Sequence, residues 1–328
     1  MQFIEGSGRD YDNLKSVTDD FRVFRKHHIP KADLKAAGAM ESLLATPSGK
    51  DLPPAYAGAL AAIYANRGDD ALEKRKSPTE AEAEFSKAAT AADGIDRKSA
   101  EGQAAAIFPD RIVGIAWRSL AQAVEDSAAK KKFIDAALRF HQRSLDQDLT
   151  LHPNNRNAEQ HKNLTYGYYN LGLDYFLLHD FEDARRLYNA AAEAGAQAAK
   201  LAPSDDATRY SADCYQTAVN FESSDEVQNF ANAIIVNQRR IDTLKPLVER
   251  DSPAPQDVSN LAEAYGSNSW FGILLGNFSA ALKDSEAALS PHQRRVQQTV
   301  RKSFELGRRV IKAAFQGESA AASSKLHM

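Results

Sequence analysis

Apolar residues recur along this chain at a long and regular period. The pattern Phe-x-x-Ala occurs five times, and successive phenylalanines of the pattern are 48, 48, 49 and 48 residues apart. These marker phenylalanines are Phe85, Phe133, Phe181, Phe230 and Phe278. Because a fixed period of this length is typical of stacked structural units, the spacing predicts a repeat protein.

Each repeat is predicted to contain two helices. In the third unit, Leu164, Tyr168, Leu171 and Tyr175 have the spacing of a single helix face, and Leu261 stands 97 residues after the first of them. The second helix of each unit is predicted to begin near the marker phenylalanine. One such pair cannot bury its own apolar stripe, so the pattern predicts an all-α fold of about five long antiparallel helix pairs that stack on one another.

The marker residues are predicted to pack in the core, with the phenylalanine against the partner helix and the small alanine allowing close approach of the two axes. Two capping boxes, Ser77 with Glu80 and Ser223 with Glu226, are predicted to begin second helices. Four prolines, separated by 44, 50 and 50 residues, are predicted to lie between helical stretches: Pro109, Pro153, Pro203 and Pro253.

The stretch that begins YYNLGLDYFLLHDFEDARRLYNAAA at Tyr168 resembles a tetratricopeptide repeat. The positions that match the family pattern are Tyr168, Leu171, Gly172, Tyr175, Phe181, Ala184, Tyr188 and Ala191. His179 stands where the family usually has a turn glycine, and the period is longer than the usual repeat of about 34 residues. The resemblance implies a right-handed α-solenoid, similar to the extended arrays of bacterial multidomain signalling proteins, where such arrays act as sensor or partner-binding arms.

Four regions are predicted along the chain. Residues 1–54 form an N-terminal helical extension or cap, and residues 55–291 form the solenoid. Residues 292–315 form a basic amphipathic helix, and residues 316–328 form a flexible tail of low complexity.

Composition and charge narrow the function classes. Apolar residues make up 43% of the 328, charged residues 26%, and the net charge of −3 provides no global attraction to nucleic acid or anionic membranes. The start of the sequence has no secretory leader pattern, and the most apolar run, WFGILL, is far too short to cross a bilayer. A reducing, cytoplasmic location is therefore expected.

Candidate chemistry is sparse. The single cysteine, Cys214, is predicted to be a small core residue within a first helix, with a catalytic nucleophile as the alternative. The adjacent His27 and His28 diverge on a helix, so surface histidines are favoured over metal ligands. The sequence contains no phosphate-binding loop, dinucleotide fingerprint or nucleophile elbow, and we expect no enzyme activity, cofactor or metal.

A partner-binding surface is predicted on the first helix of each unit, which lines the concave face of stacked helix pairs. The candidate residues are Tyr166, Tyr169, Leu173, Phe176, Asn268, Trp270 and Ile273. This surface would suit an apolar peptide or an amphipathic helix laid in a groove. The alternative is that the same residues belong to the core, because these helices are long.

Residues 292–315 combine Val296, Val300, Phe304 and Ile311 on one stripe with seven basic residues around it. Three interpretations stay open: a helix that caps the solenoid, a docking site for an acidic partner or subunit, and a surface for nucleic acid or membrane. The basic residues that would carry the last two are Arg294, Arg295, Arg301, Lys302, Arg308 and Arg309.

The leading functional prediction is a non-catalytic scaffold or sensor arm that binds a peptide or partner domain on the concave solenoid surface. One alternative is a regulatory subunit or fragment of a signalling or caspase-like proteolytic enzyme. The other is a nucleic-acid-associated protein acting through the basic C-terminal helix. The predicted partner is a protein or peptide rather than a small molecule, nucleic acid is less favoured, and no membrane span is expected.

Overall fold

The computed structural model describes residues 54–288, together with Gly38, Glu41 and Ser42, and all regular elements in this described part are helices. The ten helices are α1 (Pro54–Glu73), α2 (Pro78–Asp93), α3 (Ala100–Ala123), α4 (Ser127–Leu151), α5 (Ala158–Leu177), α6 (Phe181–Leu201), α7 (Asp205–Ser223), α8 (Phe230–Val248), α9 (Pro255–Leu274) and α10 (Phe278–Ala288). Apart from the three residues named above and Pro54, the predicted cap over residues 1–54 lies outside this part. The predicted basic helix and tail also lie outside it.

Contacts divide the chain into two compact units, Met1–Ala202 and Pro203–Met328. Among the described residues, the first unit contains α1 to α6 and the second contains α7 to α10. The two helices of each consecutive pair, from α1 with α2 to α9 with α10, pack extensively against each other, and α8 contacts α9 to a similar extent. The predicted all-α fold of five helix pairs is therefore confirmed, whereas the hand of a solenoid and its continuity across both units stay predictions.

In the first unit, the first two pairs share one apolar cluster, and a second cluster joins α4 to α5 and α6. Helix α3 packs against α1, α2 and α4, and α4 in turn packs against α5. Three aromatic rings join the first two pairs: Trp117 of α3 stacks on Phe133 of α4 at 5.7 Å between ring centroids and meets Phe85 of α2 edge-on at 6.2 Å. Aromatic pairs in these geometries stabilise a core beyond the area that they bury.

The second unit has its own core, in which α8 packs against both α7 and α9. Ile241 and Leu244 of α8 are fully buried and contact Ala212 of α7 together with Leu261 and Ala264 of α9. Since these apolar residues recur every three or four positions along α8 and α9, each helix directs one stripe toward its neighbours.

The marker phenylalanines do not occupy equivalent positions in the five pairs. Phe85 and Phe133 are buried in the interior of α2 and α4, whereas Phe181, Phe230 and Phe278 are the first residues of α6, α8 and α10. The core prediction is wrong for Phe278, which is 55% exposed. Phe230, the first residue of α8, stacks on Phe271 of the following pair at 5.8 Å, whereas within the described residues no helix follows α10 to cover Phe278.

The marker alanines fulfil the predicted packing role more uniformly than the phenylalanines. Ala88, Ala184, Ala233 and Ala281 are buried, and Ala136 is half-buried against the core of the first unit. In the last pair, the small side chain faces a glycine: a Cβ built on Gly272 would lie 3.2 Å from the Cβ of Ala281. Close approach of the two axes therefore depends on these small residues.

The turn within a helix pair has a repeated conformation. In four of the five pairs, the residue before the helix cap has a positive φ: Lys76 (53°), His179 (60°), Gln228 (47°) and Gly276 (73°). The capping side chains that follow accept a backbone hydrogen bond from the new helix: Ser77, Asp180, Asn229 and Asn277. His179 thus adopts the left-handed backbone that glycine favours, as Gly276 does 97 residues later.

Two predictions about helix boundaries are wrong. Pro109 lies inside α3 rather than between helices, because α3 is packed against α1, α2 and α4, and that burial outweighs the backbone hydrogen bond that proline cannot donate. Ser223 is the last residue of α7 and does not cap α8, which is capped by Asn229 instead. The predicted cap at Ser77 is confirmed by its 3.4 Å hydrogen bond from the backbone N–H of Glu80.

A buried carboxylate links the first two helix pairs. Asp110 of α3 is fully buried and accepts hydrogen bonds from the guanidinium groups of Arg97 and Arg143 and from the amide of Gln147. Arg97 also donates to the backbone carbonyl of Ala92 near the end of α2, at 2.7 Å. Such a carboxylate is stabilised only while these donors compensate for its lost hydration.

We expect Asp110→Ala to lower the free energy of unfolding by about 3 kcal/mol, the low end for a broken buried ion pair, because Arg97 and Arg143 retain some solvent exposure. The matched control is Asp135→Ala, which removes an exposed carboxylate paired with Lys131 and should cost about 0–1 kcal/mol. Denaturant unfolding followed by circular dichroism measures both. Equal losses in the two variants would contradict the role assigned to Asp110.

Candidate functional site

The predicted partner-binding residues of the third unit lie within the packing of α5. Tyr166 is only 4% exposed, so its prediction as a surface residue is wrong. The reason is that α5 contacts α4 as well as α6, and the guanidinium of Arg111 on α3 lies 5.9 Å from the Tyr166 ring centroid. More than one face of α5 is therefore covered.

The other three residues of this set are half-buried. The Tyr169 ring meets Tyr188 of α6 at 5.6 Å between centroids, and the Phe176 ring lies 5.9 Å from Phe181 at the start of α6. Leu173 is also half-buried. Tyr169 and Phe176 therefore contribute to packing within the α5–α6 pair, and this limits how much of them a partner can reach.

In the fifth unit, the structure separates the predicted residues into two classes. Asn268 is 2% exposed, and its side-chain oxygen accepts a 2.8 Å hydrogen bond from the amide of Asn237 on α8. Its prediction as a surface residue is wrong, because this polar contact joins α8 to α9 in the interior. Ile273 is half-buried, whereas Trp270 is 48% exposed and available to a partner.

Trp270 belongs to a set of exposed apolar side chains that we call the α9–α10 stripe, defined as Trp270, Leu274, Leu275, Phe278 and Leu282. Trp270 and Leu274 are one helical turn apart on α9, and Phe278 and Leu282 are one turn apart on α10. The two helices pack against each other and share the turn at Gly276. Clustered exposed apolar residues are a common feature of interaction surfaces, so this stripe is the candidate site of the described residues.

Beyond the α9–α10 stripe, each of the two helices carries an exposed carboxylate. Glu263 lies two turns before Trp270, and Glu286 lies one turn after Leu282; both are exposed. Glu263 forms a long ion pair with Arg240 of α8, with 3.5 Å between the carboxylate oxygen and the guanidinium nitrogen. Because α9 and α10 are antiparallel, the two carboxylates lie at the same end of the pair, away from the turn. The surface is therefore apolar near the turn and acidic at the opposite end.

Most of this stripe was not predicted from the sequence. Trp270 alone was predicted to be accessible, because the marker pattern assigned Phe278 to the core and gave no role to Leu274, Leu275 or Leu282. The available signal was the four-residue spacing of Trp270, Leu274, Phe278 and Leu282 across the turn. That spacing could not be distinguished from a buried stripe without knowing which helices lie beside α9 and α10.

A second cluster, formed by polar groups, is buried among α3, α4 and α5. The Asp174 carboxylate contacts Nδ1 of His141 and accepts a 3.1 Å hydrogen bond from Nη1 of Arg118, whose Nη2 donates to the Asn170 side chain at 2.7 Å. Burial lowers the pKa of His141 below its ordinary value, although the Asp174 carboxylate acts in the opposite direction. The imidazole is therefore neutral at physiological pH.

This histidine–carboxylate–arginine cluster contains groups that serve in acid–base catalysis, but its position is structural. His141, Asp174 and Arg118 are all buried in the packing of three helices, where a substrate has no surface from which to reach them. The ring of His141 occupies the space that a side chain on Gly114 would fill. The cluster therefore fixes the register of α3, α4 and α5.

Cys214 does not have the properties of a catalytic thiol. It lies on α7, and burial raises its pKa to about 12, so the thiol is protonated at neutral pH. The described residues contain no group of three or more His, Cys, Asp or Glu side chains that could hold a metal ion. Among the same residues, no helix has the length and apolar character needed to cross a membrane.

No protein-family model and no curated protein sequence matches the chain. Among solved structures, it is similar to the crystal structure of BtubC (BKLC) from P. vanneervenii, with 14% sequence identity and a TM-score of 0.46. The match covers 84% of this chain and 90% of that chain. A TM-score below 0.5 does not establish a shared fold, so the all-α assignment rests on the helices of this chain.

Stability is expected to decrease in acid because of His141. The unfolded chain binds a proton near pH 6.5, whereas the folded chain does so only at lower pH, since burial lowers the pKa of His141. The free energy of unfolding should therefore be fully retained above about pH 6.5 and decrease below it by up to about 1.4 kcal/mol per pH unit from this group. Denaturant unfolding between pH 7 and pH 5 measures the slope.

The variant His141→Gln keeps a hydrogen-bond donor for Asp174 but removes the titration, so its stability should depend less steeply on pH than that of the wild type. His179→Gln changes an exposed histidine and should retain the wild-type slope. A slope that His141→Gln leaves unchanged would show that other groups control the acid sensitivity.

Overpacking provides a second test of the buried cluster. Gly114→Ala places a methyl group against the His141 ring and should destabilise the protein by about 1–3 kcal/mol. Gly266→Ala on α9 has no atom within 4 Å of the new Cβ and should stabilise by up to about 1 kcal/mol through helix propensity. Changes of the same sign, measured by thermal unfolding, would argue against close packing at Gly114.

Proposed function

We propose that this protein is a non-catalytic interaction scaffold and that the α9–α10 stripe binds a basic amphipathic helix of a partner protein. The observation that carries the proposal is the exposure of Trp270, Leu274, Phe278 and Leu282 on adjacent helices. An amphipathic helix recognises such a surface through apolar residues spaced three or four positions apart. Tryptophan is also among the residues that contribute most binding energy at interfaces.

The chemistry of the partner follows from the charges beside the stripe. Glu263 and Glu286 place two exposed carboxylates at one end of the α9–α10 pair. A bound helix would gain from lysine or arginine at that end and from apolar residues near the Gly276 turn. Complementary charges of this kind contribute to partner choice and orientation, and the apolar contacts supply most of the affinity.

Membership of a tetratricopeptide-like family is part of the proposal. Two observations support it in the third unit. His179 has the left-handed backbone expected where the family has a turn glycine. A Cβ on Gly172 would lie 3.4 Å from Leu187 and Tyr188, as expected for a packing glycine between paired helices. We also propose a cytoplasmic location, which suits a chain whose single cysteine cannot form an intrachain disulfide.

A synthetic amphipathic helix of leucine and lysine is a direct probe of this surface. The full chain should bind it, and Leu274→Asp should weaken binding roughly tenfold or more, because a charge would replace an apolar contact at the stripe. Ile235→Asp, on α8, adds the same charge at another exposed apolar residue and should leave the affinity unchanged. Fluorescence anisotropy of the labelled peptide measures both affinities.

A matched peptide of leucine and glutamate tests the charge preference and should bind more weakly than the lysine peptide. Equal binding of the lysine peptide to the Leu274→Asp and Ile235→Asp variants would rule out the α9–α10 stripe as its site. Equal binding of the two peptides to the wild type would remove the role assigned to Glu263 and Glu286.

A further inference from the structure

Arg240 of α8 is a buried charge with little compensation from its surroundings. It is 4% exposed, and its ion pair with Glu263 of α9 is long: Nη1 and Nη2 both donate to the same carboxylate oxygen at 3.5 Å. Among the described residues, no acceptor lies within hydrogen-bond distance of its Nε. A guanidinium withdrawn from water in this way loses more hydration than its partners restore.

Another arginine of the second unit forms a well-compensated ion pair with α9. Arg209 of α7 donates through Nε and Nη2 to the two carboxylate oxygens of Asp257, at 2.7 and 2.9 Å, and Asp257 is 1% exposed. This two-point geometry is that of a strong arginine–carboxylate pair. Because Arg240 has no such geometry, stability alone does not explain a charge at its position.

The partner of Arg240 is an exposed group next to the α9–α10 stripe. The Glu263 side chain is 60% exposed, and it lies two turns before Trp270 on the same face of α9. Its Oε1 contacts the guanidinium, whereas its Oε2 has no hydrogen bond to any residue in the described part of the chain. A partner that contacts the stripe can therefore reach this carboxylate while Arg240 contacts one of its oxygens.

Charge balance makes Arg240 a competitor for the same carboxylate. Burial lowers the pKa of Arg240, whereas the charges of Glu263 and Asp213 act in the opposite direction, and a guanidinium stays protonated at physiological pH. A lysine or arginine of a bound helix would be attracted by Glu263 and repelled by the guanidinium that lies 3.5 Å from it. The attraction that a partner gains is therefore what Arg240 leaves uncompensated.

We propose that Arg240 is a positioning residue that acts through Glu263, so that a basic side chain of the partner must share this carboxylate with the guanidinium. The inference rests on the proposed function, in which a basic amphipathic helix binds the α9–α10 stripe. Arg240 thereby sets how strongly the surface prefers a basic partner, whereas the apolar contacts of the stripe supply most of the affinity.

The charge preference of the full chain is the ratio of its affinities for the leucine–lysine and leucine–glutamate peptides, measured by fluorescence anisotropy. Arg240→Met should raise this ratio about two- to fivefold, the range expected for one exposed charge pair. Arg240→Lys keeps the charge and should retain the wild-type ratio. Arg250→Met removes an exposed cation of the same unit, paired with Asp205 at 2.7 Å, and should also retain it. Added salt should reduce the effect of Arg240→Met.

Thermal unfolding separates this role from a purely structural one. Arg240→Met should leave the unfolding temperature unchanged or raise it, because an apolar side chain replaces a poorly compensated buried charge. Arg209→Met should lower it, because Asp257 stays buried without two of its hydrogen bonds. An equal decrease in the two variants would assign Arg240 a structural role and overturn the inference. If Arg240→Met does not fold, Arg240→Gln removes the same charge and should raise the same ratio.

The outcomes distinguish a failure of this inference from a failure of the proposed function. A ratio raised by Arg240→Met but not by Arg250→Met, together with weaker binding to Leu274→Asp, supports both. If Leu274→Asp weakens binding of the lysine peptide but Arg240→Met leaves the ratio unchanged, or Arg250→Met raises it equally, the inference is overturned and the scaffold function stands. If neither peptide binds the wild-type chain, the scaffold function fails and the inference fails with it.

Discussion

The close approach of two helices within each pair is the constraint on which the remaining structure depends. Buried alanines at the facing positions, such as Ala184, Ala233 and Ala281, leave room for the partner axis, and glycines such as Gly272 meet them from the other side. Once two helices lie this close, their larger apolar residues project away from the pair. Those residues need a further helix to cover them, and this need drives successive pairs within each unit to pack together.

The same constraint explains the buried charges of the first unit. Carboxylates buried between its helices have no access to water and must find partners within the protein. Asp110 is compensated by two arginines, and Asp174 by Arg118 and His141. Asp174 of α5 joins the third pair to both helices of the second, whereas Asp110 joins α3 to α4 and reaches the end of α2 only through Arg97. These contacts specify the register between pairs, whereas apolar packing supplies most of the stability.

Helix α10 lacks a covering helix among the described residues. In the described residues of the second unit, α8 packs against helices on both sides, whereas α10 makes its extensive contact with α9. The apolar residues that would face a further helix remain exposed as the α9–α10 stripe. A surface that a following pair would bury is thus left exposed, and it is the surface proposed to bind a partner. This origin accounts for its apolar character and for the fit of a helix as its occupant.

The repeat period, the paired helices and the turns at His179 and Gly276 could be predicted from the sequence, because they depend on interactions between residues close together in the chain. The burial of Tyr166 and Asn268, the exposure of Phe278, and the partners of Asp110 and His141 could not. A helical stripe has the same spacing whether a neighbour covers it or not. Only the tertiary packing decides which stripes are covered, and therefore where a partner can bind.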